Sequence, residues 1–285
     1  DLYLYPQSVL PIQFSRGCYY KDCAFCALTL DHQNFRQRDP GKTVDDLVWL
    51  KERYGAQSFF FTDECFALSP TKRLCQQMID RQVNVKWTCE LRFEKNLTRE
   101  LLGQMRDAGC LKIVFGLESF NQRVMDFMKK GIKQESVRRI VDDCVDLGIA
   151  VHCYVIVGFP TEKEEEALDT MNFVVGNKKL HESYGFSCQP CLFDLEKEAP
   201  IMSDPGSYGI RRIMRPATED LSLGFFYEVQ EGMTPAQAEQ LYQQVYEKIS
   251  EVVCELPFNY SMADGLLYIA RAKSQALQVP QPTGS

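Results

Sequence analysis

The sequence predicts an α/β protein, with repeated β-α units around a parallel sheet followed by a mainly helical C-terminal extension. Two observations carry this reading. From about Leu10 short apolar runs alternate with helical patterns, and the helical segments repeat their apolar residues about every 3.6 positions. Length agrees, because 285 residues exceed one ordinary domain but suit a single α/β barrel. Right-handed crossovers between parallel strands allow an open doubly wound sheet or a barrel, and periodicity alone does not choose. In both, catalytic groups gather at the C-terminal strand ends.

In chain order, the expected strands are residues 10–14, 58–62, 85–89, 112–116, 151–157 and 184–188. Between them lie helices at 43–54 (Val44, Leu47, Val48, Leu50), 70–81, 98–108, 135–147 and 162–175. Ser69 and Thr98 are capping residues, and Gly109 and Gly148 stand at helix stops. After Leu192 the rhythm ends in a stretch rich in Pro and Gly, residues 194–216, before amphipathic helices at 235–253 and 261–277. The expected organisation is a linker over 1–9 that follows a missing N-terminal domain, a β-α body over 10–192, a helical extension over 193–279 and a tail over 280–285. The first residue is Asp1, not Met, so the chain reads as a fragment.

Composition narrows the function classes. With 45% hydrophobic and 25% charged residues the chain has the material for a sizeable core. A net charge of −7, with no basic cluster larger than Lys129-Lys130 or Arg211-Arg212, argues against general nucleic-acid binding. The longest apolar stretches, such as 149–159, fall short of a membrane span, and no signal peptide is visible. Of 12 Cys, those at 75, 110, 144, 153 and 254 sit singly in apolar segments, as buried thiols of a reducing, cytoplasmic protein do.

Three further cysteines stand apart. Directly after the first strand, Ser15-Arg16-Gly17-Cys18-Tyr19-Tyr20-Lys21-Asp22-Cys23-Ala24-Phe25-Cys26 places three thiols within nine positions. Thiolates this close imply a metal. A closed zinc site wants four ligands, with His32 the candidate fourth. A four-iron, four-sulfur cluster on three Cys instead leaves one iron open to a substrate or cofactor.

With Phe25 just before the last Cys, this loop resembles that of radical S-adenosylmethionine (SAM) enzymes, whose usual pattern is C-x3-C-x2-C. The first gap here is four residues, a departure similar to some cobalamin-binding members, in which S-R-G-C-Y-W is a common opening. The resemblance extends over about residues 9–192 and implies a partial (β/α)6 TIM-like barrel, with Cys18, Cys23 and Cys26 holding a [4Fe-4S] cluster that binds SAM. It implies that Asp63 and Glu64, after the second strand, receive the SAM ammonium; helix capping is the alternative for this pair. Arg92 is expected to grip a carboxylate or form a rim salt bridge. In Gly116-Leu117-Glu118-Ser119, which resembles the family's G-x-E-S segment, Gly116 is expected to admit close approach of a ligand and Glu118 and Ser119 to contact the cofactor, with a rim salt bridge the alternative for Glu118. Val157 and Gly158 are expected against the adenine, with plain loop chemistry the alternative for Gly158.

Cys188-Gln189-Pro190-Cys191 follows the sixth expected strand. Its two thiols suit a second metal, a redox pair, a hydrogen-atom donor to a substrate radical, or plain packing.

The implied chemistry is reductive cleavage of SAM to a 5′-deoxyadenosyl radical that abstracts hydrogen from a small-molecule or peptide substrate. The electron would come from a flavodoxin or ferredoxin. Likeness to the cobalamin group extends this to C-methylation or a related modification, with cobalamin bound by a domain outside this chain, since no D-x-H-x-x-G motif is present. The competing readings are a radical SAM enzyme without cobalamin that modifies a peptide or natural product, and a structural zinc module.

Overall fold

A computed structural model describes residues 9–27, 34–177, 186–215 and 224–252. His32, Cys254, the expected helix at 261–277, the tail and most of the expected linker lie outside the described residues.

Six parallel strands form the central sheet: β1 (Val9–Ile12), β4 (Ser58–Phe61), β5 (Lys86–Leu91), β6 (Cys110–Glu118), β7 (Ala150–Val157) and β8 (Phe186–Leu192), side by side in that order. Strand order equals chain order, as successive right-handed β-α units of a partial barrel require. The crossovers are α1 (Pro40–Tyr54), α2 (Leu68–Asp80), α3 (Arg99–Asp107), the short α4 (Gln122–Phe127) with α5 (Gln134–Leu147), and α6 (Glu164–Gly176). Three of them begin at a capping side chain: Asp39 accepts from Lys42 N at 3.1 Å before Pro40, and Thr98 and Asn121 cap α3 and α4 in the same way. The expected cap Ser69 instead lies inside α2, whose N-cap Ala67 makes no side-chain bond. A two-residue hairpin, β2 (Ser15–Arg16) with β3 (Arg36–Gln37), straddles the cysteine loop.

Strand alternation sorts the side chains into two faces. Trp87, Cys89 and Leu91 of β5, Ile113, Phe115 and Leu117 of β6, and Val151, Cys153, Val155 and Val157 of β7 enter the core beneath the helices. Phe14, Phe61, Phe66 and Trp87 form its aromatic centre through edge contacts and one stacked pair. The alternate residues, Thr88 and Glu90, Lys112, Val114 and Gly116, and His152, Tyr154 and Ile156, fall on the barrel's inner face.

Two expectations change. β8 runs to Leu192, so Cys188 and Cys191 lie inside the strand and not after it. The extension is not mainly helical in its first part: β9 (Leu195–Glu196), β10 (Ile210–Met214) and β11 (Gly224–Val229) make an antiparallel sheet in the order β10-β11-β9. Its strands are short and separated by Pro/Gly turns at Pro200–Ser203 and Pro205–Tyr208, which hid the alternation. A second core of Ala24, Phe159, Phe193, Ile201, Tyr208 and Tyr227 seats this sheet against the cysteine loop. Beyond it α7 (Pro235–Val252) packs on α6 and β8.

Candidate cluster and cofactor site

The cysteine loop is fastened on both sides. Asp63, at the end of β4, accepts from Phe14 N at 2.9 Å, from Ser15 Oγ at 2.6 Å and from Ser15 N, while Glu64 accepts from Gly17 N at 2.9 Å. Asp63 is buried, and burial pushes its carboxyl up to about 6 against these donors. Across the loop, Ala24 N donates to Met128 O at 2.9 Å, Ile201 N donates to Ala24 O at 2.8 Å, and Tyr20 OH donates to Lys129 O at 2.9 Å. Both expected ammonium acceptors thus also fasten the loop through its backbone N–H groups.

Cys23 is buried, with Cys18 and Cys26 partly exposed. A hydrogen bond with Cys65 is the main reason the Cys18 thiol falls to about 5, overcoming burial. The three thiols do not meet at a point: among the described residues no three His, Cys, Asp or Glu side chains stand close enough to hold a single ion. Thiolates that bind separate irons of one cluster need not converge on a point, whereas the ligands of a single zinc ion must.

Arg92 is 7% exposed, and its Nε is buried without a hydrogen-bond partner. Its Nη1 donates to Cys23 Sγ at 3.7 Å, Nη2 donates to Lys130 O, and its guanidinium lies 3.4 Å over the Tyr20 ring. Nε stands 3.6 Å from Glu94 in an ion pair, and Glu94 accepts from Tyr19 OH. Both Nη groups thus face the cysteine loop and its neighbour Lys130.

Glu118 pairs with Lys130 at 3.0 Å, both nearly buried. The β6 register shifts here, and Glu118 takes φ 62, a backbone strain that concentrates at functional sites. Gly116 has a concrete reason to lack a side chain: a Cβ would stand 2.5 Å from Glu118 Oε1 and 2.8 Å from Lys130 Nζ. The close approach expected there is made by this ion pair. Lys130 also faces the Phe25 ring at 5.6 Å. Burial opposes its charge, yet Glu118 and Cys23 hold the ammonium above its usual value. Sequence reasoning noted Lys130 only as half of a minor basic pair, and Cys65 only as part of a strand-end segment. Neither carries a pattern of its own.

Ser119 is brought elsewhere: buried, it meets Thr170 Oγ1 of α6 at 3.3 Å and accepts from Asn121 N at 3.1 Å. Val157 faces the helices. Gly158, at φ 86, donates to Glu162 at 2.7 Å and accepts from Tyr227 OH at 3.4 Å, so the backbone groups expected at a purine are bonded internally. Its conformation seats α7, since a Cβ would collide with Ala238.

The two cysteines of β8 separate. Three residues apart on a strand, they point to opposite faces: Cys188 packs on the core, and Cys191 is exposed on the inner face, donating to Val155 O at 3.3 Å. Partial burial and Glu118 push the Cys191 thiol up to about 11. This geometry excludes one metal or one disulfide shared by the pair. Deeper in the barrel, Glu90 is pushed up to about 7 by burial and by Glu64 and Glu118. His152 Nδ1 lies 2.7 Å from Ser187 Oγ, and burial and Lys112 keep the ring neutral.

A parallel partial barrel whose first loop presents three spread thiols ringed by buried cations defines a class. The Radical SAM superfamily model matches residues 12–174, and the chain belongs to that superfamily, whose members use a [4Fe-4S] cluster and SAM. It is 27% identical over 176 residues to the uncharacterized methyltransferase PH0819 of Pyrococcus horikoshii, covering 61% of this chain and 37% of that protein. It is 30% identical over 160 residues to the anaerobic magnesium-protoporphyrin IX monomethyl ester cyclase of Rubrivivax gelatinosus, covering 55% and 29%. The chain thus spans well under half the length of these relatives. The fold matches the cobalamin-dependent SAM radical enzyme OxsB with aqua-cobalamin bound (TM-score 0.64, 15% identity, 82% of this chain and 40% of that chain). It also matches the radical SAM methyltransferase TsrM of Kitasatospora setae (TM-score 0.63, 16% identity, 95% and 61%). Among the described residues no helix is long and apolar enough to cross a membrane.

Proposed function

We propose that this chain is the radical-generating barrel of an enzyme that cleaves SAM reductively and abstracts hydrogen from its substrate, in the service of cobalamin-dependent C-methylation or a related modification. The observation that carries the reading is the loop of Cys18, Cys23 and Cys26, pinned by Asp63, Glu64, Met128 and Ile201 at the C-terminal mouth of the barrel. The residues fit a four-iron cluster: Cys18, Cys23 and Cys26 would hold it, Arg92 and Lys130 would balance the charge of the thiolates, and one iron would be left for SAM. Bound there, it would supply the single electron for reductive cleavage of SAM to methionine and a 5′-deoxyadenosyl radical.

The remaining roles belong to side chains. Glu118 is the mouth carboxylate that receives the SAM ammonium or a ribose hydroxyl, with Lys130 setting its orientation. Phe25, Phe159 and Phe193 form an apolar wall that excludes water from a reactive radical. The substrate lies against the inner face at Tyr154 and Cys191, and of the two β8 thiols Cys191 is the one placed to return a hydrogen atom. The barrel domain comprises 10–192, with cobalamin carried by a domain outside this chain. This rests on the names of OxsB and TsrM and of the methyltransferase relatives. A flavodoxin or ferredoxin supplies the electron. The described cysteines, none in a disulfide, suit the reducing cytoplasm.

A radical SAM barrel without cobalamin, acting on a peptide or natural product, is the second reading, since the fold also matches coproporphyrinogen III oxidase HemN of Escherichia coli, named simply as a radical SAM enzyme (TM-score 0.52, 12% identity). Corrin bound to the anaerobically purified full-length protein separates the two. The central test is anaerobic reconstitution with iron and sulfide, then dithionite and SAM. 5′-Deoxyadenosine is expected from wild type and not from Cys23→Ala or Cys26→Ala. Its absence from wild type, or its persistence in those variants, overturns the proposal.

A further inference from the structure

One side chain aims a donor at a cluster cysteine from outside the cysteine loop. Arg92 reaches Cys23 Sγ through Nη1 at 3.7 Å, and it is held there by three further contacts: Lys130 O on Nη2, the Tyr20 ring at 3.4 Å and Glu94 at 3.6 Å from Nε.

Donors to cluster sulfurs, and positive charge beside them, stabilise the more negative reduced state. We propose that Arg92 is a positioning residue that donates to Cys23 and raises the reduction potential of the cluster, bringing it within reach of a one-electron donor. The inference rests on the cluster assignment above and adds one residue to it.

The test is a redox titration of the anaerobically reconstituted protein, read by the paramagnetic signal of the reduced cluster, with iron and sulfide counted per chain. At the potential that half-reduces wild type, the reduced-to-oxidised ratio is expected to fall about tenfold in Arg92→Gln, a shift of about 59 mV for one electron. Arg92→Lys, which keeps a donor, recovers part of the change. A merely structural role lowers the iron count and leaves the midpoint of the loaded fraction unchanged. That result, or a wild-type midpoint in Arg92→Gln, overturns the inference. If Arg92→Gln does not load, the midpoint of Arg92→Lys decides: a value below wild type supports the inference and a wild-type value overturns it. Failure of wild type to load removes the cluster assignment itself, a distinct outcome.

Discussion

Lys130 and Glu118 meet across a strained bend at the barrel mouth, with side chains 7% and 9% exposed. In so little water, removing one partner leaves a charge with no solvent to hold it. Lys130→Met is expected to lower stability by about 3 kcal/mol in urea unfolding, with much of the loss recovered when Glu118→Gln is added. A loss below about 1 kcal/mol in Lys130→Met would mean the pair is effectively solvated. Glu162 shows a second residue-scale effect. Burial pushes its carboxyl from an ordinary 4.5 up to about 8. Between those values the folded protein keeps a proton that the unfolded chain releases, so stability falls as pH rises through the window. Thermal unfolding at about pH 5 and about pH 8 should show a smaller drop in Glu162→Gln than in wild type. An equal drop in the two proteins contradicts the burial argument. Neither residue announces itself in the sequence: Lys130 reads as half of a surface dipeptide and Glu162 as an ordinary helix start, because burial is decided by what packs over them.

Among elements, β8 carries the sharpest contrast. The pair Cys188 and Cys191 looks like a redox or metal motif, and the strand's alternation divides it between two faces. Cys188→Ala is expected to cost about 1–2 kcal/mol of stability with the chemistry intact. Cys191→Ala should leave stability within about 0.5 kcal/mol while changing the ratio of substrate-derived product to 5′-deoxyadenosine. Equal effects of the two substitutions would refute the separation of faces. The cluster loop, by contrast, was readable at once, since three thiols in nine positions need no tertiary information to signify a metal. The strand-end carboxylates were also visible as a group, but not their duty. Which acceptor faces a ligand and which fastens a loop depends on where the backbone N–H groups of Phe14, Ser15 and Gly17 fall.

At the scale of the molecule, two cores cooperate. The large one builds the barrel, and the smaller one, from Ala24 to Tyr227, presses the short antiparallel sheet onto the cysteine loop through Ile201. Emptying that second core with Ile201→Ala is expected to speed loss of iron to a chelator severalfold. The unfolding midpoint of the barrel should change less than in an equivalent substitution at Leu102 in the main core. An unchanged rate of iron loss would show that the barrel alone secures the loop.

The sequence by itself determined the order of β and α elements, the parallel class of the sheet and the grouping of Cys18, Cys23 and Cys26 on one loop. These follow from local periodicity and from the clustering of thiols along the chain. Tertiary structure alone decided that Asp63 and Glu64 fasten the loop, that Arg92 and Cys65 attend its thiols, that Lys130 is buried against Glu118 and that the first part of the extension is a sheet. Each of these depends on contacts between residues 12 or more positions apart, where register and burial set the partner and periodicity carries no record of it.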